Sequence, residues 1–374
     1  MKKGWEYSKI GKLCKTYSGG TPLKNVKEYY QNGNIPWLRS GEVCKKYITE
    51  TEMFITQKGF ENSSAKYYPI NTVVVAMYGA TAAQVGILKI EATSNQAVCG
   101  IIPNSTFLPE FLYYFFCYRK EFLASQAQGG AQPNISQVKI KNLEVPIPPL
   151  SEQQSIVDYL DSAFAKIDAM KANAEKALNE AKALFQASLK EMLEPKEGWE
   201  EKTLPDISEN LDSKRKPVTK GKRETGIYPY YGASGIVDYV SDYIFDEDIL
   251  LISEDGANLV ARSTPIAFSV SGKVWVNNHA HILRFKNIYT QYFVEYYFAS
   301  IKIDEYVTGA AQPKFSQKNM NKLPIWIPSI VEQQSIVETL DSLKSKVDRL
   351  QANYEKISQE CDALKQAILR QVFE

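Results

Sequence analysis

Residues 152–162 read Glu-Gln-Gln-Ser-Ile-Val-Asp-Tyr-Leu-Asp-Ser, and residues 332–342 read Glu-Gln-Gln-Ser-Ile-Val-Glu-Thr-Leu-Asp-Ser. The match extends without a gap over residues 129–190 and 309–370, at a constant offset of 180 residues and with about half of the positions identical. Self-similarity at a fixed offset indicates an architecture built from repeated units. The sequence therefore predicts that one structural element is built twice.

The segments that precede the two copies differ from each other. Residues 8–128 and 203–308 share almost no sequence beyond their openings, Gly4-Trp5-Glu6 and Gly198-Trp199-Glu200. Variable and constant segments therefore alternate, which suits one scaffold carrying two different recognition surfaces. The predicted boundaries are a first globular domain at residues 1–148, a first long helix at 149–195, a second globular domain at 196–328 and a second long helix at 329–374.

The composition is that of a folded globular protein. The 374 residues, of which 44 % are hydrophobic and 23 % charged, suffice for two or three domains. The five cysteines are odd in number and lack C-x-x-C spacing, which argues against a disulfide framework or a zinc knuckle and favours reduced thiols in a cytosol. Polar residues interrupt the hydrophobic stretch from Thr72 to Leu88, and we find no export signal. We therefore expect a cytoplasmic protein without a membrane segment.

The net charge of +1 argues against a protein that binds nucleic acid indiscriminately, because such binding depends on neutralising phosphates. Basic residues nevertheless cluster in both variable segments. They are Lys9, Lys12, Lys15, Lys24 and Lys27 in the first, and Lys214, Arg215, Lys216, Lys220, Lys222 and Arg223 in the second. Each cluster is either a basic surface patch or a solvated loop, and the sequence leaves both interpretations open.

Each constant segment has the pattern of a long helix. Residues 151–154 fit a capping box, in which the serine hydroxyl accepts from a backbone N–H and a glutamine reaches back, and Ser329 with Glu332 fits the same box in the second copy. Apolar residues then recur at steps of three and four, which is a heptad seam. The predicted seam residues are Val157, Leu160, Phe164, Ile167, Ala174, Leu178, Ala181 and Phe185, and then Val337, Leu340, Val347, Tyr354, Ile357, Cys361, Leu364 and Ile368, with Lys344 and Gln351 as polar interruptions.

A helix of about 40 residues is a rod roughly 60 Å long, and its apolar stripe is too narrow for burial in a globular core. Each rod therefore needs a partner. The economical partner is the other copy, and because a globular segment separates the two, the rods can run antiparallel as a pseudo-two-fold pair. The alternative is that each helix packs on its own variable domain. Such seams can also recruit helices of partner proteins.

Both variable segments contain short runs rich in Tyr, Val, Ile and Gly, which are typical of strands. The predicted strands are Asn71–Met77, Val85–Ile90, Ile249–Ser253, Ala267–Val276 and His281–Phe285. The apolar and aromatic segments Phe111–Gln126 and Gln291–Ile301 are predicted to be helices packed on a sheet. The predicted fold class is α+β, with two globular α/β-mixed domains separated by two long antiparallel coiled-coil helices and a pseudo-two-fold internal repeat.

Two turn-rich stretches, residues 36–42 and 228–235, carry polar side chains of the kind that read bases. Arginine can bind guanine through two atoms, and Asn or Gln can bind adenine in the same way. Glycine-rich turns that present Arg, Tyr and Ser are therefore candidates for base-reading loops. The alternative is that the aromatic residues belong to the core and the glycines only turn the chain.

The sequence offers little support for catalysis. His279 and His281, the only histidines, do not make a catalytic metal site without carboxylate ligands. No G-x-x-x-x-G-K-[ST] motif for ATP occurs, and residues 147–150 lack the Asn or Asp and the aromatic residue of an amino-methyltransferase motif. The carboxylate pair in residues 253–256 lacks the lysine of a nuclease motif. These features favour a binding subunit over an enzyme.

The whole chain resembles the specificity subunit of type I restriction-modification enzymes. The residues that carry the resemblance are Gln132-Pro133 to Ser136, Pro148 and the Glu152-Gln153-Gln154 run with its helix, their copies Gln312-Pro313 to Ser316, Pro328 and Glu332-Gln333-Gln334, and the two Gly-Trp openings. Two such blocks at this spacing are more specific than one block would be.

The resemblance implies two target recognition domains, each reading one half of a split double-stranded DNA sequence, with the helices acting as a ruler for the unread spacer. It also implies that the helices dock two methyltransferase subunits and that a translocating endonuclease subunit joins them. The chain itself would then not be an enzyme and would bind no cofactor, because S-adenosylmethionine, ATP and magnesium would belong to these partners.

The candidate DNA-binding residues combine the basic clusters with polar residues of the predicted loops. They are Lys24, Arg39, Ser40, Lys45 and Tyr78 in the first domain, and Lys214, Arg215, Lys216, Lys222, Arg223, Tyr231, Ser234, Asn258 and Arg262 in the second. Basic residues would bind phosphates and position the protein, whereas loop residues would specify the sequence.

The rival interpretation is a non-DNA adaptor, whose coiled coil clamps partner proteins and whose two β-rich domains bind protein or glycan. It predicts no sequence-dependent retention of DNA. A self-contained modification enzyme is a weaker rival, because the cofactor and catalytic motifs are missing from the sequence.

Overall fold

The chain forms two compact units, and each long helix contributes to both of them. The computed structural model describes residues 4–126, 134–309 and 311–374. The first unit comprises residues 1–173 and 356–374, and the second comprises residues 174–355. Each unit thus contains one variable segment and part of each constant segment.

The first unit contains a five-stranded sheet, a three-stranded sheet and a separate strand pair. Its strands are β1 (Glu6–Lys9), β2 (Thr16–Ser18), β3 (Ile35–Leu38), β4 (Tyr47–Ile48), β5 (Phe54–Ile55), β6 (Val73–Ala76), β7 (Val85–Leu88), β8 (Thr93–Ser94), β9 (Val98–Ile101) and β10 (Glu144–Ile147). Its helices are α1 (Ile10–Leu13), α2 (Gln57–Glu61), α3 (Pro109–Ser125), α4 (Gln137–Lys141) and the first part of α5 (Leu150–Leu193). The strand orders are β2-β9-β6-β7-β4 and β5-β3-β8.

The central strand β6 separates two hydrophobic clusters of the first unit. All four of its residues are buried, as expected for a strand that is covered on both faces. Val73 and Val75 pack in the cluster that contains α3, whereas Val74 and Ala76 pack in the cluster around Leu38. The predicted strands at residues 71–77 and 85–90 and the predicted helix at 111–126 are confirmed, with small shifts at their ends.

The second unit has a related arrangement of strands. Its strands are β11 (Glu200–Lys202), β12 (Ser208–Asn210), β13 (Thr225–Gly232), β14 (Gly235–Val240), β15 (Phe245–Asp246), β16 (Ile249–Ser253), β17 (Ala267–Val270), β18 (Lys273–Val276), β19 (Ala280–Phe285) and β20 (Ile325–Ile327). Its helices are α6 (Leu204–Ile207), α7 (Asn258–Ala261), α8 (Ile288–Ser300), α9 (Gln317–Met320) and the first part of α10 (Ile330–Phe373). The orders of its four-stranded sheets are β12-β19-β16-β17 and β14-β13-β18-β15.

The single strand predicted at residues 267–276 is wrong, because the chain changes sheet within it. β17 pairs antiparallel with β16, whereas β18 pairs parallel with β13 in the other sheet. The turn between them contains Gly272 at φ +75°, a backbone conformation that glycine adopts without steric cost. The predicted strands at 249–253 and 281–285 and the predicted helix at 291–301 are confirmed as β16, β19 and α8.

Each variable domain begins and ends in one antiparallel strand pair. β1 pairs with β10, and β11 pairs with β20. The chain therefore enters and leaves each domain side by side, immediately before a long helix. In the repeated block, Gln132 and Pro133 lie outside the described residues.

A buried glutamine, and not the predicted capping box, anchors the first long helix. α5 begins one residue before Ser151, so the serine already lies within the helix. The fully buried Gln153 accepts through Oε1 from the backbone N–H of Leu108 at 2.9 Å. Its Nε2 donates to the carbonyl oxygens of Thr106 at 2.8 Å and Pro148 at 2.9 Å. This amide joins the helix to the loop before α3 and to the end of β10.

The second long helix has an equivalent anchor. Gln333 is 2 % exposed, its Nε2 donates to the carbonyl oxygen of Pro328 at 2.8 Å, and its Oε1 accepts from the hydroxyl of Thr290 at 2.7 Å. Here Ser329 does cap the helix, because its hydroxyl accepts from the backbone N–H of Glu332 at 3.3 Å. That half of the predicted capping box is confirmed.

The glutamates of the two repeats hold the tryptophans that open the domains. The indole N–H of Trp5 donates to the carboxylate of Glu152 at 3.0 Å, and that of Trp199 donates to Glu332 at 3.1 Å. The two sequence features that both halves of the chain share, the Gly-Trp opening and the Glu-Gln-Gln run, therefore meet in each unit.

Within each unit the two long helices run in opposite directions. Residue numbers that rise along α5 pair with residue numbers that fall along α10. The pairs are Asp168 with Lys365 and Lys171 with Asp362 in the first unit, and Lys182 with Gln351 in the second. The predicted antiparallel pairing is confirmed within each unit.

The ends of the helices also complete the domain cores, so the alternative packing on a variable domain contributes as well. The first core takes residues from the start of α5 and the end of α10, and the second takes residues from the end of α5 and the start of α10. These residues are Val157, Leu160, Leu369, Val372 and Phe373 in the first, and Leu189, Leu193, Ile336, Val337 and Leu340 in the second.

The predicted seam is confirmed for α5, where all the named residues are buried or half-buried. On α10 the prediction for Leu364 is wrong, because this side chain is 47 % exposed. Lys365 takes the inward position, and its Nζ lies 5.2 Å from the ring centroid of Phe164, within reach of a cation–π interaction. A strict heptad drifts relative to 3.6 residues per turn, which displaces the inward face by one residue along a long helix.

A charged network lies inside the second domain. His281 is 1 % exposed, with Nδ1 at 2.6 Å from a carboxylate oxygen of Asp212 and Nε2 at 2.8 Å from the carbonyl oxygen of Phe315. Both ring nitrogens therefore have a hydrogen-bond partner inside the domain. Arg215 pairs with Asp212 at 3.5 Å and with Glu254 at 2.5 Å.

The network favours the ionised form of both carboxyl groups. Burial alone would raise the pKa of Asp212, but the hydrogen bond and charge of His281 and the charge of Arg215 outweigh it, and the pKa lies below its usual value. The pKa of Glu254 is lowered in the same way, because the effects of Arg215, His281 and Lys314 outweigh that of burial.

We predict that Gln153→Ala lowers the free energy of unfolding of the first unit by about 2–4 kcal/mol, because it leaves a backbone N–H and two carbonyl oxygens without their partner. Urea unfolding followed by circular dichroism measures the loss. Gln154→Ala is the matched control, since the side chain of the adjacent Gln154 is exposed and, among the described residues, bonds only Asp158 at 2.7 Å, an interaction worth about 0.2–0.5 kcal/mol. Equal losses in the two variants would contradict the anchoring role.

We also predict that Asp212→Asn lowers the free energy of unfolding of the second unit by about 3 kcal/mol at pH 7, because it removes the carboxylate that pairs with Arg215 and hydrogen-bonds the buried ring of His281. The depressed native pKa of Asp212 means that its contribution is present above the unfolded pKa of about 4 and is lost as the pH falls through the native pKa. The difference from wild type should therefore shrink in acid. Asp248→Asn, at an exposed carboxylate, should have little effect, and a loss for Asp212→Asn that is constant from pH 7 to pH 3 would refute the ionic explanation.

Candidate nucleic-acid interface

An open cleft of about 840 Å³ in the first domain brings cationic, amide and aromatic side chains together. Two of the predicted residues, Lys24 and Arg39, line it. The other lining residues are Thr21, Lys27, Tyr30, Gln31, Trp37, Met53, Asn95 and Gln96. Cations bind phosphates, amides bind base edges and aromatic rings stack on bases. The cleft therefore has the chemistry of a nucleic-acid interface.

Aromatic side chains fix the lysine-bearing loop of this cleft. The indole N–H of the buried Trp37 donates to the carbonyl oxygen of Gly20 at 2.9 Å, and the hydroxyl of Tyr30 donates to that of Pro22 at 2.6 Å. The ring of Tyr30 meets Trp37 edge-on, with centroids 6.0 Å apart. A Cβ atom on Gly20 would lie 2.3 Å from the backbone nitrogen of Ala65, so only glycine permits this close approach.

The cations of the cleft differ in their availability. Lys24 and Lys27 are exposed and form no ion pair with any described residue. Arg39, by contrast, pairs with Glu42 at 3.3 Å and with Glu52. Its charge is balanced within the domain, so the two lysines are the cations that remain open to an anionic ligand.

Three amide residues of the cleft, Gln31, Asn95 and Gln96, were missed by the sequence analysis. The backbone N–H of Asn95 donates to the carbonyl oxygen of Leu38 at 3.0 Å, and its Oδ1 accepts from the N–H of Ala97 at 3.2 Å. The next residue, Gln96, is exposed, and its Oε1 accepts from the hydroxyl of Thr21. The available signal was an Asn-Gln pair between two short apolar runs, which composition does not distinguish from an ordinary turn.

In the second domain aromatic side chains again hold a lysine-bearing loop, at residues 214–223. The indole N–H of Trp275 donates to the carbonyl oxygen of Lys216 at 2.7 Å, and the backbone N–H of Val218 donates to the hydroxyl of Tyr230 at 2.9 Å. Three predicted residues of this loop, Lys214, Lys216 and Lys222, are exposed and have no ion pair within the described part of the chain.

Four other candidates in the second domain use their polar groups within the fold. Arg215 belongs to the buried network described above. Arg223 pairs with Asp238 at 3.0 Å and lies 4.4 Å from the ring centroid of Tyr230. The other two candidates stabilise loops. Asn258 accepts through Oδ1 from the N–H of Thr264 at 3.0 Å. Arg262 donates to the carbonyl oxygens of Phe298 at 3.0 Å and Ile301 at 3.1 Å.

The remaining candidates lie apart from the cleft lining. Ser40 begins a single helical turn, Ser40–Glu42, and Lys45 is exposed beside a different, smaller depression. Tyr78 is 37 % exposed, and its backbone bridges to Asn134. In the second domain, the half-buried Tyr231 packs on Phe268, and Ser234 is exposed at the turn between β13 and β14.

Within residues 4–126, 134–309 and 311–374, no group of three or more His, Cys, Asp and Glu side chains could hold a metal ion. His279 lies 2.8 Å from a carboxylate oxygen of Asp255. A search of the same residues finds no helix with the length and apolar character needed to cross a membrane.

Comparison with known proteins gives a family match to both halves of the chain. The family of the type I restriction modification DNA specificity domain matches residues 2–180 and 196–359. The EcoR124I/EcoR124II specificity subunit of Escherichia coli is 30 % identical over 161 residues, which are 42 % of this chain and 40 % of that one. The MjaIX specificity subunit of Methanocaldococcus jannaschii is 27 % identical over 308 residues, or 76 % of this chain and 70 % of that one. The match with the Escherichia coli relative thus spans about two fifths of its length.

Solved structures show the same fold at low sequence identity. A chain from a study of complex assembly and conformational transition of the type I R-M system superposes with a TM-score of 0.78 at 16 % identity, covering 100 % of this chain and 98 % of that one. The HsdS subunit of Thermoanaerobacter tengcongensis gives a TM-score of 0.58 at 17 % identity, covering 100 % and 97 %. Because the family match extends over most of the sequence and includes both variable domains, the chain belongs to the type I restriction modification DNA specificity family.

Proposed function

We propose that this chain is the DNA-specificity subunit of a type I restriction-modification complex. Each variable domain reads one half of a split double-stranded DNA target, and the long helices set the unread spacer. The observation that carries the proposal is that two domains with one strand plan bear unlike loops. A single scaffold therefore presents two different surfaces for recognition.

The common strand plan supports the assignment of one role to both domains. The order β2-β9-β6-β7 of the first domain corresponds to β12-β19-β16-β17 of the second. The parallel pair of β3 and β8 corresponds to the parallel pair of β13 and β18. The segments that connect these strands share almost no sequence. Domains that share a strand framework but differ in their loops are suited to binding the same kind of ligand with different sequence preferences.

The distribution of charge supports sequence-dependent rather than general binding. In each domain, a loop held by a tryptophan hydrogen bond carries exposed lysines that pair with no acidic side chain in the part of the chain that the structure describes. The whole chain, by contrast, has a net charge of only +1. A few phosphate contacts position a protein on DNA but give little affinity for DNA in general. Contacts to bases must therefore supply the rest of the binding free energy.

We further propose that two methyltransferase subunits dock on the long helices and that a translocating endonuclease subunit joins them. The exposure of apolar side chains on α5 supports a protein partner: Tyr159, Met170 and Leu184 are 51 %, 59 % and 59 % exposed. In this proposal the chain acts in the cytoplasm and supplies recognition only. S-adenosylmethionine, ATP and magnesium are then bound by the partners.

The rival function, a non-DNA adaptor, draws no specific support from the fold or from the family match. It shares the coiled coil with the proposed function but assigns protein or glycan ligands to the two domains. The two interpretations differ in whether exchange of a domain changes a DNA sequence preference.

We predict that replacing residues 198–331 by a copy of residues 4–151 converts an asymmetric target into an inverted repeat of the half read by the first domain. The splice points lie at equivalent anchors, since Trp5 and Trp199 bond the matching Glu152 and Glu332. The opposite directions of the helices within each unit give the inversion. Mapping of methylated sites in cells that express the chimera with the cognate methyltransferase measures the motif.

Wild-type chain and Gln154→Ala serve as controls for expression and assembly in this experiment. A chimera that binds an active methyltransferase and still directs methylation to the wild-type motif would contradict the assignment of one half-site to each domain. A wild-type chain that binds the methyltransferase without directing its sequence choice would favour the adaptor.

A further inference from the structure

Both domains contain the same small structural motif, built on a pair of parallel strands, although their loop sequences are dissimilar. In the first domain Trp37 on β3 faces Thr93 on β8 across a parallel strand pair, and in the second Tyr230 on β13 faces Trp275 on β18. The tryptophan lies on opposite members of the pair. Each tryptophan nevertheless stands in the row of paired residues next to the last one, since Leu38 pairs with Ser94 and Tyr231 with Val276 in the following row, and alignment of the sequences does not reveal this.

In both domains this tryptophan holds the loop that follows the first strand of the sheet containing β6 or its counterpart β16, namely β2 in the first domain and β12 in the second. Trp37 donates to the carbonyl oxygen of Gly20, two residues after β2, and Trp275 donates to that of Lys216, a few residues after β12. The loops so held carry the exposed lysines of each domain, Lys24 and Lys27 in one and Lys214 and Lys216 in the other. The basic clusters are therefore equivalent features of the two domains.

The motif ends in an asparagine whose hydrogen bonds fix the conformation of a turn. The backbone N–H of Asn95 donates to Leu38 O at 3.0 Å, and that of Asn277 donates to Tyr231 O, also at 3.0 Å. Each asparagine Oδ1 then accepts from the N–H two residues later, at 3.2 Å for Asn95 and 2.8 Å for Asn277. The residue that directly follows each asparagine is therefore held on a rigid backbone, at the end of a paired strand.

That residue is an exposed amide in both domains, Gln96 in the first and Asn278 in the second. Gln96 lines the cleft together with Lys24 and Lys27, and the hydroxyl of Thr21 orients its amide from one side. Asn278 lies next to the second lysine-bearing loop, because Arg215 of that loop donates to its backbone carbonyl at 3.4 Å. The side chain of Asn278 has no hydrogen bond to any described residue.

We infer that Gln96 and Asn278 are the equivalent base-reading residues of the two domains, each binding an adenine edge in the major groove. This inference rests on the proposed DNA-specificity function. An amide can accept from adenine N6 and donate to N7 at the same time, and it matches no other base in this way. The neighbouring lysines bind the flanking phosphates and bring the strand to the amide. Gln96 is one methylene longer than Asn278, and the two residues lie among different loops. The two domains can therefore prefer different DNA sequences.

The test uses the full chain with its cognate methyltransferase, and it determines the base preference by selection from random DNA and by mapping of methylated sites. Gln96→Ala should reduce the preference for adenine at one position of one half-site by about 5- to 150-fold, the range for a bidentate base contact. Asn278→Ala should do the same in the other half only. In each variant the unaltered half-site is the internal control, and Gln57→Ala, at an exposed glutamine on α2 outside the cleft lining, controls for loss of an exposed amide elsewhere.

Gln96→Glu gives a sharper result that does not depend on a deletion. A carboxylate accepts from cytosine N4 and cannot donate to adenine N7, so preference at the same position should move from adenine towards cytosine. Lys24→Ala should instead weaken binding to all sequences alike and reduce the salt dependence by about one phosphate contact. Thermal melting verifies that each variant is folded. If Gln96→Ala does not fold, the base preference of Gln96→Glu tests whether residue 96 reads the base.

Retention of both half-sites at full strength in the Gln96 and Asn278 variants would overturn this inference and leave the DNA-specificity function intact. A change spread over both halves in a single variant would overturn it as well. Failure of the wild-type chain to direct any sequence preference would remove the proposed function itself, and this result is separate because it is seen before any substitution is made.

Discussion

Each globular domain is completed by helical turns that come from two distant parts of the chain. The core of the first contains Leu160 near the start of one long helix and Leu369 near the end of the other, both at most 1 % exposed. Burial of such a side chain contributes about 2 kcal/mol, so neither domain reaches its full stability without both helices. The remaining features of the fold depend on this sharing, since it requires antiparallel helices and fixes where each domain begins and ends.

Buried amides make the attachment specific. Apolar packing alone tolerates sliding of a helix along its neighbour, whereas Gln153 and Gln333 hold three and two hydrogen bonds to fixed points of their domains. A register shift would leave these buried groups without partners, at a cost of about 1–3 kcal/mol for each group. The tryptophan-to-glutamate bonds at the domain openings add a second fixed point. The anchors are thus rigid and repeated, while the loops far from them are free to differ.

This division explains how a chain can keep one scaffold and change its ligand surface. The residues that the two halves share serve helix anchoring, and those that they do not share form the aromatic-braced loops and the polar cleft. Arg215, Asn258 and Arg262 illustrate the distinction, because their polar groups stabilise loops from within. Lys24, Lys216 and their neighbours lie on the outside of equivalent loops and are the groups open to a ligand.

Much of the fold could be predicted from the sequence, because it depends on periodicity and repetition. The two helices and the buried strands follow from apolar spacing over many residues, and the opposite directions of the helices follow from the globular segment that separates the two copies. The helix start was wrong in the first copy, since Ser151 lies within the helix and the start is held by Gln153, which is not a member of the capping pattern and is buried against a loop 45 residues away in sequence. The inward position of Lys365 in place of Leu364 depends on an aromatic ring of the other helix, which no pattern within one helix contains.

The candidate site was harder to predict, because its parts meet only through tertiary structure. Sequence reasoning located the lysine clusters but could not distinguish Arg39, balanced by two glutamates, from Lys24, which has no ion pair among the described residues. It missed Gln96 and Asn278 because the tryptophan that reveals their equivalence lies on different strands in the two domains. Such an exchange across a strand pair keeps the hydrogen bond from the indole to the loop, whereas an alignment of the two sequences no longer matches the tryptophans.

The most direct test of the central claim is to map methylated bases throughout the genome of cells that express the intact chain with its cognate methyltransferase. Two dissimilar recognition domains on one pair of helices predict a single motif with two unlike specified halves separated by a fixed number of unspecified base pairs. A continuous motif without a gap, or a gap of variable length, would contradict the account.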